Sequence, residues 1–177
     1  MASILNVDQI NNAAGTSGIA LDASTGKPSF PNGANLPAGS VVQVQHFDYT
    51  GSEFNTSSTN DVATPIAVSI APKYSNSKIL VMCETNLRKN ASVDAAGASC
   101  QLYRDTTRIR DLWQNVYGLT PGGNIGLFGH WSGHYYDTPN TTSQITYTLY
   151  VKSYGGYSIV VGDGTSGGQM TVMEIAQ

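Results

Sequence analysis

The sequence predicts an all-β protein: an extended N-terminal stalk-like arm followed by an antiparallel β-sandwich head, jelly-roll-like in its number of strands. Three observations carry this expectation. From Val41 onward, apolar and polar residues alternate over short runs, the two-residue period of a half-buried strand. Turn formers rich in Gly, Asn and Pro separate those runs at short intervals, as in sandwiches and barrels. No stretch keeps a helical period beyond a turn or two.

The arm, residues 1–40, differs from the rest. It has three charged residues (Asp8, Asp22, Lys27), one aromatic (Phe30) and many turn formers, among them Asn11-Asn12, Gly15-Thr16-Ser17-Gly18 and Gly26-Lys27-Pro28. Short apolar pieces stand between these breakers. Ile19 and Leu21 have strand spacing, whereas Ile4, Val7 and Ile10 suit about one helical turn, too short to hold alone. So sparse a segment cannot offset its ordering entropy by burying its own apolar groups. It is either disordered or completed by other chains, and the regular alternation of apolar pieces with tight turns favours completion. Pro and Gly in Leu36-Pro37-Ala38-Gly39-Ser40 mark the joint with the head, residues 41–177.

In the head, strands are expected at Val41–Tyr49, Val62–Ile70, Lys78–Leu87, Ala98–Arg104, Arg108–Trp113, Ile125–Tyr136, Ser143–Ser153, Tyr157–Val161 and Gln169–Ala176. One face gathers Val62, Thr64, Ile66, Val68 and Ile70; a second Ile79, Val81, Cys83, Thr85 and Leu87; a third Ile145, Tyr147, Leu149 and Val151. Asp105-Thr106-Thr107, Tyr154-Gly155-Gly156 and Gly162–Gly168 read as hairpin connections.

Composition narrows the function. Hydrophobic residues make up 40%, enough for a core, but charged residues only 12%, about half the share usual in soluble domains. The surface must therefore be Ser, Thr, Asn, Gln, Gly and Tyr, suited to meeting neighbours or glycans through hydrogen bonds. A net charge of −3 and the lack of a basic run argue against nucleic acid as a partner. No run approaches the roughly 18–20 apolar residues that span a bilayer, so no membrane insertion is expected. The opening Met1-Ala2-Ser3-Ile4-Leu5-Asn6-Val7-Asp8 lacks the basic and apolar regions of a signal peptide, which predicts assembly in the cytoplasm where the chain is made. Cys83 and Cys100, both in expected strands, read as two buried thiols, with a bond between neighbouring strands as the alternative.

Catalytic patterns are scarce, and no enzyme activity, cofactor or metal is expected. His130 and His134, four apart on a strand, stand roughly 13 Å from each other, too far for one ion. Asp105, Asp111, Asp137 and Asp163 are the carboxylates open to glycoside hydrolysis, but their spacing is not diagnostic. The Gly-rich run Gly162–Gly168 lies between strands and is no phosphate loop. Arg104, Arg108 and Arg110 with Asp105 and Asp111 form a mixed-charge hairpin, a solvated or inter-subunit ion-pair edge that discourages strand addition; an acidic-glycan site is the alternative.

One feature is enriched. Trp113, Tyr117, Phe128, Trp131, Tyr135 and Tyr136 fall within 24 residues, interleaved with Asn115, Asn124, His134 and Asp137. Flat aromatic faces stack sugar rings while amides and carboxylates take hydroxyl hydrogen bonds. The candidate ligand-binding set is Asn115, Tyr117, Trp131, His134, Tyr135, Tyr136 and Asp137. A ligand role predicts that Trp131→Ala and Tyr135→Ala leave stability nearly intact; the alternative is that these aromatics are core or subunit-interface residues.

Four segments carry a family resemblance: Met1-Ala2-Ser3-Ile4-Leu5-Asn6-Val7-Asp8-Gln9-Ile10; Leu36-Pro37-Ala38-Gly39-Ser40-Val41-Val42-Gln43-Val44; Ile66–Pro72 with Ser77–Val81; and Gly164-Thr165-Ser166 with Met170–Ala176. Together they resemble small tail-fibre and virion-surface proteins of bacteriophages, notably aquatic and cyanobacterial ones. The stretch from about residue 88 to 141 is not covered. The resemblance implies a homotrimer in the virion, on tail or capsid surface, assembled in the host cytoplasm. Its arms, through Ile4, Val7, Ile10, Ile19 and Leu21, would wind into a stalk docked to another virion protein. Its heads would meet a host surface glycan or receptor. A capsid decoration or head-fibre protein with no receptor role is the alternative.

Overall fold

The computed structural model describes residues 9–11, 17–21, 24–29, 36–89, 96–118, 128–162 and 167–177. It divides the chain into two compact units, Met1–Pro37 and Ala38–Gln177.

The first unit holds three short antiparallel strands, β1 (Gln9–Asn11), β2 (Ser17–Leu21) and β3 (Pro28–Ser29), in the order β1-β2-β3. Ile10 opposes Ile19 across the β1–β2 pair, so it belongs to a strand and not to the helical turn its spacing with Ile4 and Val7 suggested. Pairing with β2 supplies the backbone partners that a lone turn lacks. Ile10 remains 52% and Leu21 43% exposed. Ile4 and Val7 lie outside the described residues.

Among the described residues, the second unit has ten strands: β4 (Val41–Tyr49), β5 (Phe54–Thr56), β6 (Val62–Ile70), β7 (Lys78–Lys89), β8 (Ala96–Arg104), β9 (Thr107–Gly118), β10 (Phe128–Asp137), β11 (Ile145–Tyr154), β12 (Ile159–Val161) and β13 (Gly168–Ile175). No helix occurs among the described residues. All pairings are antiparallel and build two sheets. In the first, β7 is central: β10 runs along one edge, and β13 and β12 lie end to end along the other, flanked in turn by β4 and β5. The second has the order β6-β11-β8-β9. With the eight long strands lettered B to I in chain order, the sheets read B-I-D-G and C-H-E-F. That is a jelly roll.

Alternation decides what lies between the sheets. β11 has a strict buried/half-buried pattern along its whole length, so Ile145, Tyr147, Leu149 and Val151 point inward. They meet Ile79, Val81, Cys83 and Leu87 of β7, Ile66 and Val68 of β6, Cys100 and Leu102 of β8, and Met170 and Val172 of β13. Cys83 and Cys100 are buried free thiols on opposite sheets. Burial, with Glu84 beside it, pushes the Cys83 thiol up to about 12, and burial raises that of Cys100 well above its ordinary range. Pro65 sits in an edge strand, where a missing N–H is tolerated, and where the β6–β11 register shifts between Thr148 and Tyr150 the Thr64 hydroxyl donates to the Leu149 carbonyl at 2.8 Å.

Of the three expected hairpins, one forms: β8 turns into β9 through Asp105, whose φ of 52° suits an Asp. Residues 155–158 instead carry the chain from the second sheet to the first. The third expected hairpin does not form either, since β12 and β13 are not paired with each other. β12 and β13 pair with the same edge of β7 in the same direction, opposite Leu87 and Thr85. Pairing with β7 stops opposite Leu87 and resumes opposite Thr85, two β7 residues further on. Gly162 N–H donates to the Asn86 carbonyl at 2.9 Å at the exit, and the Thr85 hydroxyl donates to the Gly167 carbonyl at 2.8 Å at the return. A Cβ on Gly167 would overlap the Tyr49 carbonyl. Gly162 and Gly167 serve this close passage rather than a turn between paired strands. Asp163 lies outside the described residues.

Candidate functional site

The candidate residues on β10 fall on opposite sides of one strand. Residues directly opposite in an antiparallel pair share a face. Trp131 opposes the buried Thr85, Tyr135 opposes Val81 and Asp137 opposes Ile79, so these three point between the sheets. His134 opposes Met82 and Tyr136 opposes Leu80, so they point outward. Asn115 and Tyr117 are on β9, in the other sheet, and their side chains lie outside the described set, as do those of Trp113 and Phe128. The seven residues therefore do not converge on one surface.

The inward members do structural work. Trp131 and Tyr135 pack against the core, in conflict with the expectation that truncating them leaves stability intact. The glycines of Gly129-His130-Trp131-Ser132-Gly133 make room for this packing. A Cβ on Gly129 would strike the Trp131 indole, and one on Gly133 would crowd Leu112 of β9 at 3.2 Å. Asp137 is buried and fully engaged. Arg104 Nη1 donates to its two oxygens at 3.0 and 2.7 Å, the Tyr147 hydroxyl donates at 2.7 Å, and the Thr138 N–H donates at 2.9 Å. Burial, then the Asp137 hydrogen bond, raises the Tyr147 hydroxyl far above its ordinary range. A buried charge of this kind needs such partners and has no oxygen left for a sugar.

The mixed-charge hairpin is likewise tied within its own chain. Arg104 serves Asp137, and Arg108 pairs with Asp111 and with Asp61 at 3.5 Å. Asp61 also takes a 2.7 Å hydrogen bond from Tyr103, whose hydroxyl burial, then that bond, pushes up to about 12. Tyr103 stacks on Tyr150 at 3.8 Å. Arg110 lies 6.0 Å over the Tyr135 ring.

The outer face of the first sheet is where exposed functional groups gather. Register places Val44, Met173, Leu80 and Tyr136 in one row across β4, β13, β7 and β10. The next row is His46, Thr171, Met82 and His134, and the third is Asp48, Gln169, Glu84 and Ser132. All three histidines of the chain lie here. His46 contacts Thr171 Oγ1 at 2.8 Å and Asp48 at 3.0 Å. His130 contacts Asn86 at 3.0 Å and Glu84 at 3.4 Å, and Glu84 accepts from Gln169. A shallow depression of about 540 Å³ lies over Leu80, Met82, His134 and Tyr136, and a second of about 390 Å³ over Asp48, Asn86 and His130. No group of three or more metal-ligating side chains occurs among the described residues. Sequence reasoning found Tyr136 and His134 but missed Val44, Leu80 and Met173. For Leu80 and Met173 the signal was present, since they alternate with core residues, but alternation alone marks that half of a strand as the solvent side.

No family model and no curated protein matches the chain. Among solved structures it is similar to the VP2 protein of infectious bursal disease virus. In the subviral particle the TM-score is 0.44 at 13% identity, over 88% of this chain and 41% of that one. In the Gx strain the TM-score is 0.44 at 12% identity, over 95% and 42%. In the T=1 particles it is 0.41 at 16%, over 89% and 40%. The chain thus spans about two fifths of the length of the VP2 chains it matches. Identities and TM-scores at this level tie it to no function of VP2, and the jelly-roll assignment stands on the strand pairing itself.

Proposed function

We propose that the chain is a virion structural protein, one subunit of a homotrimeric tail fibre of bacteriophage type, with the arm as stalk and docking end and the jelly-roll head meeting the host surface, polysaccharide above all. The observation that carries this reading is a contrast within one chain. The head closes a core of its own, whereas Ile10 and Leu21 of the three-stranded arm stay about half exposed. So small a sheet needs more strands or a covering surface to be stable, and sister arms would supply both. The resemblance of both chain ends to phage fibre proteins supports the same reading. We read the protein as non-catalytic, because Asp105, Asp111 and Asp137, once open to hydrolysis, are engaged in hydrogen bonds and ion pairs.

Light scattering on the purified chain is expected to give about three times 18.7 kDa; a monomer at every concentration would refute the fibre. Deleting residues 1–35 is expected to abolish virion attachment with the head still folded. The split of the aromatic cluster between interior and exterior favours a second reading, a capsid decoration or head-fibre protein with no receptor role. Imaging intact particles labelled against this chain separates the two by location.

A further inference from the structure

The outer face of the β4-β13-β7-β10 sheet carries exposed apolar side chains at both of its edges. Val41 (52% exposed), Val44 (48%) and Tyr136 (54%) lie on its two edge strands, whereas Phe47, opposite the buried Met170, belongs to the inner face. Among the described residues, none of the large exposed apolar side chains lies on β6, β11, β8 or β9. The row Val44–Met173–Leu80–Tyr136 runs unbroken across four strands, and Met82 extends it.

We propose that this face is the contact between heads, and that its occupant is a second copy of this chain. Three features select that occupant. The first is connectivity: β4 begins at Val41, four residues beyond the end of the arm unit at Pro37. Copies joined by their arms, as the proposed fibre requires, therefore hold their β4 strands within about 14 Å of chain from the joint. The second is the guarding of edges. β6 carries Pro65, and β9 carries Arg108, Arg110 and a ladder broken at three places, devices that repel a neighbouring strand. β4 has nine residues, no proline and no lysine. The third is charge. Both carboxylates of the three rows already have partners, Asp48 in His46 and Glu84 in Gln169 and His130, so covering those rows strands neither carboxylate. Four strands about 4.8 Å apart and eight residues long present roughly 500 Å² before side-chain relief, on the order of the ~800 Å² per partner of a stable interface. An apolar row flanked by hydrogen-bonding rows matches the make-up of such interfaces.

The test uses the full chain and peroxide oxidation of its methionines, read by mass spectrometry. Met82 and Met173 lie on the face, and buried Met170 reports unfolding. Met82 and Met173 of the wild type are expected to oxidise about tenfold more slowly than in Leu80→Lys, with Thr148→Lys on the opposite sheet behaving as wild type. If Met170 oxidises quickly in Leu80→Lys, that variant is unfolded, and Val44→Lys on the open edge strand replaces it. A trimer by light scattering whose Met82 and Met173 oxidise as fast as in the lysine variant overturns this contact and leaves the arm-built fibre standing. A monomer overturns both. Slowing that appears only when host polysaccharide is added assigns the face to a glycan and also overturns the proposal.

Discussion

Ile79 and Leu80 are neighbours on β7, yet they belong to different chemistries. Ile79 is fully buried in a core where the polar groups beside it, Asp137 and Glu174, accept several hydrogen bonds each. Leu80 belongs to an apolar row whose ends, Val44 and Tyr136, are about half open. The inner face of the sheet is complete within one chain; the outer face is not. A strand has two faces, and a buried alternation on one says nothing about whether the other is finished.

The largest effect that can break this comparison is at the adjacent pair itself. Ile79→Ala is expected to cost about 3–4 kcal/mol in denaturant unfolding, through lost burial and the cavity left behind. Leu80→Ala is expected to cost the head less than about 1 kcal/mol and to show instead in the assembled mass; equal losses would erase the distinction. Next comes Asp137→Ala, expected to cost about 3 kcal/mol because it leaves Arg104 and the Tyr147 hydroxyl without their partner. The exposed Asp48→Ala should stay within about 0.5 kcal/mol. Trp131→Ala is expected to lower stability by about 2 kcal/mol, with His134→Ala three residues on near zero. A Trp131 variant with unchanged melting would return that side chain to the ligand set.

The smallest effect is on pH. Burial works to raise the Glu174 carboxyl, but hydrogen bonds from Lys73 N–H, Gln43, Ser77 and Tyr74 N–H outweigh it and hold the group below its ordinary 4.5. A folded value below the unfolded one means that the ionised form favours the fold. This contribution is therefore full above about 4.5 and is lost as pH falls through the lower folded value. Wild-type stability should decline over that acid range, and Glu174→Gln should flatten the decline; an unchanged slope would assign the acid sensitivity elsewhere.

Much of the fold was legible in the residues. The limits of β4 and β6 agree with the alternation read at 41–49 and 62–70, and the core faces of β7 and β11 follow from Ile79–Leu87 and Ile145–Val151. β5 was missed because three residues, Phe54–Thr56, carry too little period to register. The helical spacing of Ile10 gave way to pairing with Ile19, since a partner across a ladder outweighs a lone turn. In the candidate site, the aromatic cluster was visible but its division was not. Gly129 and Gly133 are the gaps that let Trp131 and Leu112 pack, a role that shows only once the sheets are laid together.

Strand existence and inward phase are local properties, written in alternation, and the residues alone determined them. Which segments reverse, which merely leave a sheet and return, and which residues of four separate strands line up as Val44, Met173, Leu80 and Tyr136 depend on pairing between positions far apart in the chain. Only the tertiary structure decided those, because register is fixed by the partner strand and not by the strand itself.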